Sequence, residues 1–211
     1  MVSCPFVTTD QLIITLVLAA GGYVLGSVPF ALVIARRLYG ADIRALGTGN
    51  IGAGNVRHTL GVRAGALVMI CDMAKGFLPA FAAVLLLSFW PTALVAFMTV
   101  FGHQHSIFLR GAGGKGIATT AGAVLPLSPI VFGVTMALWT VTVAIRRWRR
   151  AGPFVAGGTY LLASFVVPQP AAYRVLAVAV CASVLVSFRA GTQSRGADPA
   201  GPQASGRRPP V

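Results

Sequence analysis

The 211-residue sequence contains no glutamate and only four aspartates, Asp10, Asp42, Asp72 and Asp198. It has two lysines, Lys75 and Lys115. Charged residues make up 10% of the chain, where a soluble domain carries about 25%, and hydrophobic residues make up 56%. That shortage of charge excludes an ordinary soluble domain and points to an integral membrane protein. Cys4, Cys71 and Cys181 share no short spacing, which argues against a disulfide framework or a cysteine metal cluster. Cys71 and Cys181 fall in apolar runs, where a free thiol behaves as a small hydrophobe. The first apolar run lacks a basic lead and runs directly into Arg36 and Arg37, unlike a secretory signal.

The charge that is present is nearly all positive. Seventeen Lys and Arg residues against four acids give +13. No DNA- or RNA-binding motif accompanies them, so no nucleic-acid partner is expected. They sit in short blocks between apolar runs, the pattern that fixes the orientation of a membrane protein. Residues 12–38 are long enough to cross about 30 Å of hydrocarbon. Gly26, Ser27 and Pro29 predict a kink or a loosely wound segment near Ser27. Further spans are expected at 64–89, 93–109, 117–127, 130–145, 154–167 and 175–188. The run 117–127 is short enough to be a half-helix, and Gly157 and Gly158 weaken 154–167. With the N-terminus outside and seven crossings, 15 of the 17 basic residues fall on the cytoplasmic side; Lys75 lies in a span and Arg174 outside. Five full crossings remain an alternative if two weak segments are re-entrant. The expectation is an all-α, polytopic membrane protein of seven transmembrane helices, some short or broken, with N-terminus outside and C-terminus cytoplasmic. Residues 1–190 form one transmembrane domain, and 191–211 form a disordered basic Gly/Pro-rich tail.

Two glycine-rich basic stretches land on the cytoplasmic face. The first, residues 44–61, carries Arg44, Gly47, Gly49, Asn50, Gly52, Gly54, Asn55, Arg57, His58 and Gly61. It does not read as helix, because each interior glycine costs about 1 kcal/mol against alanine. Glycine backbone can approach a ligand closely, and such a loop flanked by arginines suits an anion, phosphate above all. A flexible loop whose charges only set topology would look much the same. The second stretch, residues 110–116, contains Gly113-Gly114-Lys115-Gly116. It is not a nucleotide P-loop, which needs glycine where Leu109 stands and Ser or Thr where Gly116 stands. It can still form an anion nest, aided by the N-terminal dipole of a helix starting at Ile117.

Asp72 and Lys75 lie three residues apart on one face of a span, so they must pair, line a polar cavity or sit near the interface. His103 and His105, two apart, point to different sides of a helix with no carboxylate or cysteine nearby in sequence, a weak metal signal. One fits better as a hydrogen-bond donor or base. His58 has no evident partner, and no Ser-His-Asp arrangement is supported.

Together these motifs resemble the bacterial acyl-phosphate:glycerol-3-phosphate acyltransferases. Gly26-Ser27-Val28-Pro29-Phe30, Asp42-Ile43-Arg44 and residues 47–56 (GTGNIGAGNV) are similar to the first family signature. Asp72, Lys75 and Gly76 match its D-x-x-K-G, and Gly102-His103 through residues 113–119 (GGKGIAT) resemble the second. The resemblance covers about residues 23–122. It departs at Ala112, where the family has Lys, and at Gly54, where Thr is usual. Residues 151–158 lack the family's serines. Residues 187–192 lack the His and Asn of a third signature.

The resemblance implies a seven-helix membrane enzyme, in the bacterial inner membrane, with its site facing the cytoplasm. It implies transfer of a fatty acyl group from acyl phosphate to the 1-hydroxyl of glycerol 3-phosphate, giving lysophosphatidate and phosphate. Ser27, Arg44 and Lys75 would hold glycerol 3-phosphate, with Asn50 and Asn55 orienting loop or substrate. His103 and Lys115, with Gly113, Gly114 and Gly116, would hold the acyl phosphate; His103, Lys115 and Lys75 take the catalytic roles. No metal and no cofactor is called for. The partners are the two substrates and the lipid bilayer; oligomeric state is left open, a monomer being the simplest case. Two other readings compete: a non-catalytic member that keeps the phosphate loops as a binding module, and an organic-anion transporter. A transporter of inverted repeats would show similar halves, and the two glycine loops differ in length and sequence.

Overall fold

The computed structural model describes residues 8–145 and 151–196, whose regular elements are all helices, without a strand among the described residues. Nine α-helices follow in order among the described residues: α1 (Thr9–Ser27), α2 (Phe30–Tyr39), α3 (Ala53–Leu60), α4 (Val62–Leu86), α5 (Phe89–Gln104), α6 (Ile117–Leu127), α7 (Pro129–Ala144), α8 (Gly152–Val166) and α9 (Ala171–Gly196). Four stretches are long and apolar enough to cross a membrane: Thr9–Tyr39, Val62–Leu86, Phe89–Leu109 and Ala171–Arg189. Three shorter apolar helices, α6, α7 and α8, complete the bundle. Large apolar side chains such as Leu16, Ile70, Leu85 and Val186 are exposed on its outer faces. In water such a surface would drive association; in a bilayer it is the solvated face.

The break expected near Ser27 divides the first span into α1 and α2. Pro29 cannot donate an amide, so the α1 ladder closes early, with Val28 N–H donating to the Leu25 carbonyl at 3.2 Å. The helix pair α1–α5 packs closely at Gly26 and Gly102, each facing a backbone carbonyl of the other helix. Small residues at these points let the two backbones meet, as membrane helix pairs require.

The first glycine stretch is more ordered than its composition implies. Residues 53–60 form α3, a correction to the expectation of a helix-free loop. Its amphipathic face sets Val56 into a cluster with Ile43, Ile51, Ala64 and Val68, so packing against α2 and α4 overrides weak propensity. Helix α8 runs unbroken through Gly157 and Gly158. Helix α9 continues to Gly196, into the stretch read from sequence as tail; residues 197–211 lie outside the described residues, as does the basic block 146–150.

Candidate active site

The broken first span and the α4, α5 and α6 helices converge on one buried polar cluster. Breaking the helix after Ser27 leaves backbone carbonyls without helical donors. Phe30 N–H donates to the Val28 carbonyl at 3.1 Å, and two side chains, one on α4 and one in the loop after α5, add further donors. Lys75 Nζ donates to the Val28 carbonyl at 2.9 Å, and Ser106 Oγ donates to the Ser27 carbonyl at 2.5 Å. Ser27 itself is buried, its Oγ donating to the Tyr23 carbonyl at 2.8 Å.

Lys75 also pairs with Asp72, Nζ to Oδ1 at 2.9 Å, and each side chain is only 2% exposed. The pair expected from their spacing therefore forms, deep in the protein. His103 joins it from α5, with Nδ1 3.7 Å from Asp72 Oδ1 and no hydrogen bond to that nitrogen within the described chain. An ionised lysine and aspartate this far from water are costly unless paired. Gly76, next to Lys75, faces the Thr119 carbonyl of α6, so a side chain there would drive α4 and α6 apart.

The second glycine stretch wraps over this cluster. Ser106 N-terminal to it anchors the turn, its carbonyl accepting from Gly111 N–H at 2.9 Å. Gly113 lies on the carbonyls of His103 and Gln104, and Gly114 on the His103 ring at Nε2, leaving no room for a Cβ. Gly114 N–H donates to the His103 carbonyl at 3.1 Å. Gln104 Nε2 donates to the Lys115 carbonyl at 3.2 Å, while its buried Oε1 carries no hydrogen bond in the described chain. Gly116 (φ +82°) then turns the chain into α6 with no side-chain cap. The first amides of α6 have no intrahelical acceptor and aim their dipole at the loop. Thr119 Oγ1 and Thr120 Oγ1, buried in the first turn, also lack partners among the described residues. Buried polar groups left so are uncommon away from ligand or water sites.

Lys115 reaches outward from the polar cluster. Its Nζ lies 3.6 Å from the centroid of the Phe188 ring on α9. That ring also borders an apolar cleft between α6, α7, α8 and α9, whose walls include Ile117, Val124, Phe132 and Tyr160. Ile117, Thr120, Ala121 and Val124 share one face of α6 toward this cleft, while Thr119 and Gly122 meet α4 on the other. The loop 113–116 thus joins a polar cluster on one side of α6 to an apolar cleft on the other.

The remaining expected residues sit in the first glycine stretch. Arg44 and Arg36 both bind Asp42 Oδ2 at 2.7 Å; the two arginines are solvent-exposed and Asp42 is half-buried. The Arg44 guanidinium, then that of Arg36, hold the Asp42 carboxyl well below the usual carboxylate range, and Asp42 in turn raises Arg44. Asn55 is buried and commits its side chain to the loop. Its Oδ1 accepts from Thr48 N–H at 2.8 Å, and its Nδ2 donates to the Leu46 and Ile43 carbonyls at 3.0 and 3.3 Å. Of the two roles expected for Asn55, orienting the loop is the one this geometry supports. Asn50 is half-buried beside Gly52, with its N–H on Thr48 Oγ1 at 3.4 Å. Sequence reasoning passed over Ser106 and Gln104. Their proximity to His103 was the available signal, but a lone Ser or Gln at a helix end carries no signature.

A model of the family described as glycerol-3-phosphate acyltransferase matches residues 16–195. This chain belongs to the glycerol-3-phosphate acyltransferase family. The match reaches through the divergent segments 151–158 and 187–192. A glycerol-3-phosphate acyltransferase of Roseiflexus sp. is 39% identical over 194 residues, 86% of this chain and 94% of its own. One from Rubrobacter xylanophilus is 40% identical over 169 residues, 80% of this chain and 84% of its own. Among solved structures, the chain resembles PlsY (YgiH), an integral membrane glycerol 3-phosphate acyltransferase, in its glycerol 3-phosphate form. The TM-score is 0.79 at 33% identity, covering 86% of this chain and 91% of that one. The lysophosphatidic acid form of PlsY gives a TM-score of 0.77 at 32% identity, with the same coverage.

Proposed function

We propose that this member of the glycerol-3-phosphate acyltransferase family takes its acyl group from acyl phosphate and transfers it to the 1-hydroxyl of sn-glycerol 3-phosphate. The hydroxyl oxygen bonds to the acyl carbonyl carbon, the bond from that carbon to the phosphate oxygen breaks, and phosphate leaves. The hydroxyl proton passes to a phosphate oxygen. An acyl phosphate is an activated anhydride, so the enzyme needs no nucleophile of its own. Its work is to hold two phosphates, align hydroxyl with carbonyl, and stabilise the oxyanion.

The observation that carries this reading is the position of the loop 113–116 between the Asp72–Lys75–His103 cluster and the apolar cleft. The α6 amides and Lys115 take the acyl-phosphate headgroup, and the acyl chain follows α6 into the cleft. Lys75, Ser27 and Arg44 serve glycerol 3-phosphate, with Asn50 and Asn55 shaping the loop that presents Arg44. His103 hydrogen-bonds the reacting groups.

The same reading sets the membrane arrangement. The α1–α2 span, α4, α5, α6, α7, α8 and α9 make seven crossings, with the N-terminus outside and both glycine stretches cytoplasmic, in the inner membrane. Residues 1–190 act as one domain. Helix α6 has 11 residues, or about 17 Å at the helical rise. Against about 30 Å of hydrocarbon, that length sets the glycine loop below the membrane surface, at a depth an acyl chain can reach from the bilayer.

The test is phosphate release by purified protein in lipid, given acyl phosphate with and without glycerol 3-phosphate, with acyl-CoA as the control donor. Release that needs glycerol 3-phosphate, with no use of acyl-CoA, is the expected result. Binding of glycerol 3-phosphate without release would overturn the enzymatic reading in favour of a binding module.

A further inference from the structure

We infer that Tyr160 is the floor of the acyl cleft and sets the length of chain the enzyme accepts. The inference rests on the reading of that cleft as the acyl site. A second, much smaller cavity lies beyond the first, lined by Ser128, Ser164, Gln169 and Tyr173 among others. The two cavities share only Val124 and Tyr160 in their walls. Both side chains are 6% exposed, and Tyr160 is by far the larger. The tyrosine ring on α8 thus closes the end of the cleft opposite the glycine loop.

The helical rise gives the scale. Phe154 and Phe188 stand near the cleft mouth, where their rings meet at 5.4 Å. Six residues of α8 separate Phe154 from Tyr160 and eight of α9 separate Phe188 from Val180, about 9 and 12 Å at 1.5 Å per residue. Beyond Tyr160 the space changes rather than the chemistry: the second cavity is small and bordered by Leu127, Val131 and Leu176 as well as Ser128, Ser164 and Gln169. Gln169 Nε2 donates to the Ser164 carbonyl at 2.7 Å and Ser164 Oγ donates to the Tyr160 carbonyl at 2.7 Å, so these polar groups are already paired. The stop is therefore steric. From Tyr160 to Ser164 is one turn of α8, so removing the ring lengthens the accessible path by about 6 Å, a few methylenes.

The opposite manipulation is available at Gly157. It lines the cleft, and a Cβ there meets nothing within 4 Å. A larger side chain enters the cleft without displacing backbone.

The experiment measures kcat/KM for a series of acyl phosphates of increasing chain length, at saturating glycerol 3-phosphate. Tyr160→Leu is expected to move the optimum to longer chains, raising the long-to-short preference about tenfold or more per methylene gained. Tyr160→Phe, which keeps the ring, should leave the optimum in place, and Gly157→Leu should move it to shorter chains. Val124→Ala thins the same wall from α6 and stands in for Tyr160→Leu if that variant fails to fold. A Gly157→Leu shift with unmoved Tyr160→Leu and Val124→Ala profiles would overturn the floor while leaving the acyl site in place. Unmoved profiles in all of them would instead remove the cleft as the acyl site.

Discussion

The Asp72–Lys75 pair allows its structural and chemical roles to be separated. Both side chains are 2% exposed and 2.9 Å apart, and Lys75 also holds the Val28 carbonyl at 2.9 Å. Lys75→Met leaves Asp72 as an uncompensated buried charge, which costs about 3–5 kcal/mol. It also strips the Val28 carbonyl of its side-chain donor, adding about 1–3 kcal/mol if no water replaces it. Asp72→Asn alone leaves Lys75 its carbonyl partner but not its counter-ion, again at about 3–5 kcal/mol. The double variant Asp72→Asn/Lys75→Met removes both charges, and replacing a buried pair by uncharged groups of similar volume is commonly near neutral. Its stability should return to within about 1–3 kcal/mol of the parent, the residue of the lost Val28 hydrogen bond. Turnover should not return, because the cation proposed to face a substrate phosphate is gone. Thermal unfolding in lipid-containing detergent reads the first quantity, and glycerol 3-phosphate-dependent phosphate release reads the second. A double variant that is stable and retains turnover within about tenfold, or 1.4 kcal/mol of barrier, would refute the chemical role and leave Lys75 as scaffold.

Lys115→Ala should abolish phosphate release while the protein still inserts and unfolds cooperatively; retained release would remove it from the site. Ser106→Ala leaves the Ser27 carbonyl without its side-chain donor and should cost about 1–3 kcal/mol of stability and raise the KM for glycerol 3-phosphate more than that for acyl phosphate. Gly76→Ala should fail to accumulate as folded protein because its Cβ meets the Thr119 backbone, whereas Gly133→Ala, with nothing within 4 Å, should gain up to about 1 kcal/mol in thermal unfolding. Asp42 has a folded-state pKa below the ordinary 3.8, so its ion pairs with Arg44 and Arg36 stabilise the first glycine stretch above that value and are lost as pH falls below it. Proteolysis of that stretch should therefore rise on acidification through and below pH 3.8 in the parent and not in Asp42→Asn, whose rate should already be high at neutral pH.

What could be read in the sequence was whatever a short stretch of chain decides by itself. The break at Ser27–Pro29 follows from proline chemistry and two residues of context. The Asp72–Lys75 pair follows from helical spacing and the cost of charge in hydrocarbon. The glycine stretch at 113–116 announces close backbone approach, and it does approach His103 and Gln104. Asn55, expected to orient loop or substrate, directs its side chain to residues 43, 46 and 48 of the loop. The misses have a common origin in distance along the chain. Helix α3 formed against propensity because Val56 had a cluster on α2 and α4 to enter. Ser106 gains its importance only from Ser27, 79 residues away. No local pattern encodes such a contact.

The divergent C-terminal segments bear directly on whether the site can work. The segment that departs from the family's third signature brings Phe188 against Lys115, so its contribution to the cleft mouth is an aromatic face. A lysine ammonium over such a face is partly oriented by it, a contact worth about 0.5–2 kcal/mol depending on desolvation. It keeps Lys115 beside the glycine loop, the proposed entry of the acyl-phosphate headgroup. The segment 151–158, lacking the family's serines, contributes Gly157 and Gly158 to the cleft wall, where absent side chains widen the path for hydrocarbon. The chemistry requires cations and amides around phosphate and an apolar wall for the chain, and it needs no enzyme nucleophile. The polar cluster and the glycine loop lie on α4, α5, α6 and the loop between α5 and α6, inside the conforming part of the sequence, while the apolar wall is shared with α7, α8 and α9, including the divergent segments. If the loss of the third signature's His and Asn falls on binding, its expected kinetic trace is a raised KM for substrate with chemistry retained. A Phe188→Asn substitution separates the two possibilities: a lowered KM at unchanged kcat would assign the third signature to binding, and a large rise in kcat would assign it to the chemical step.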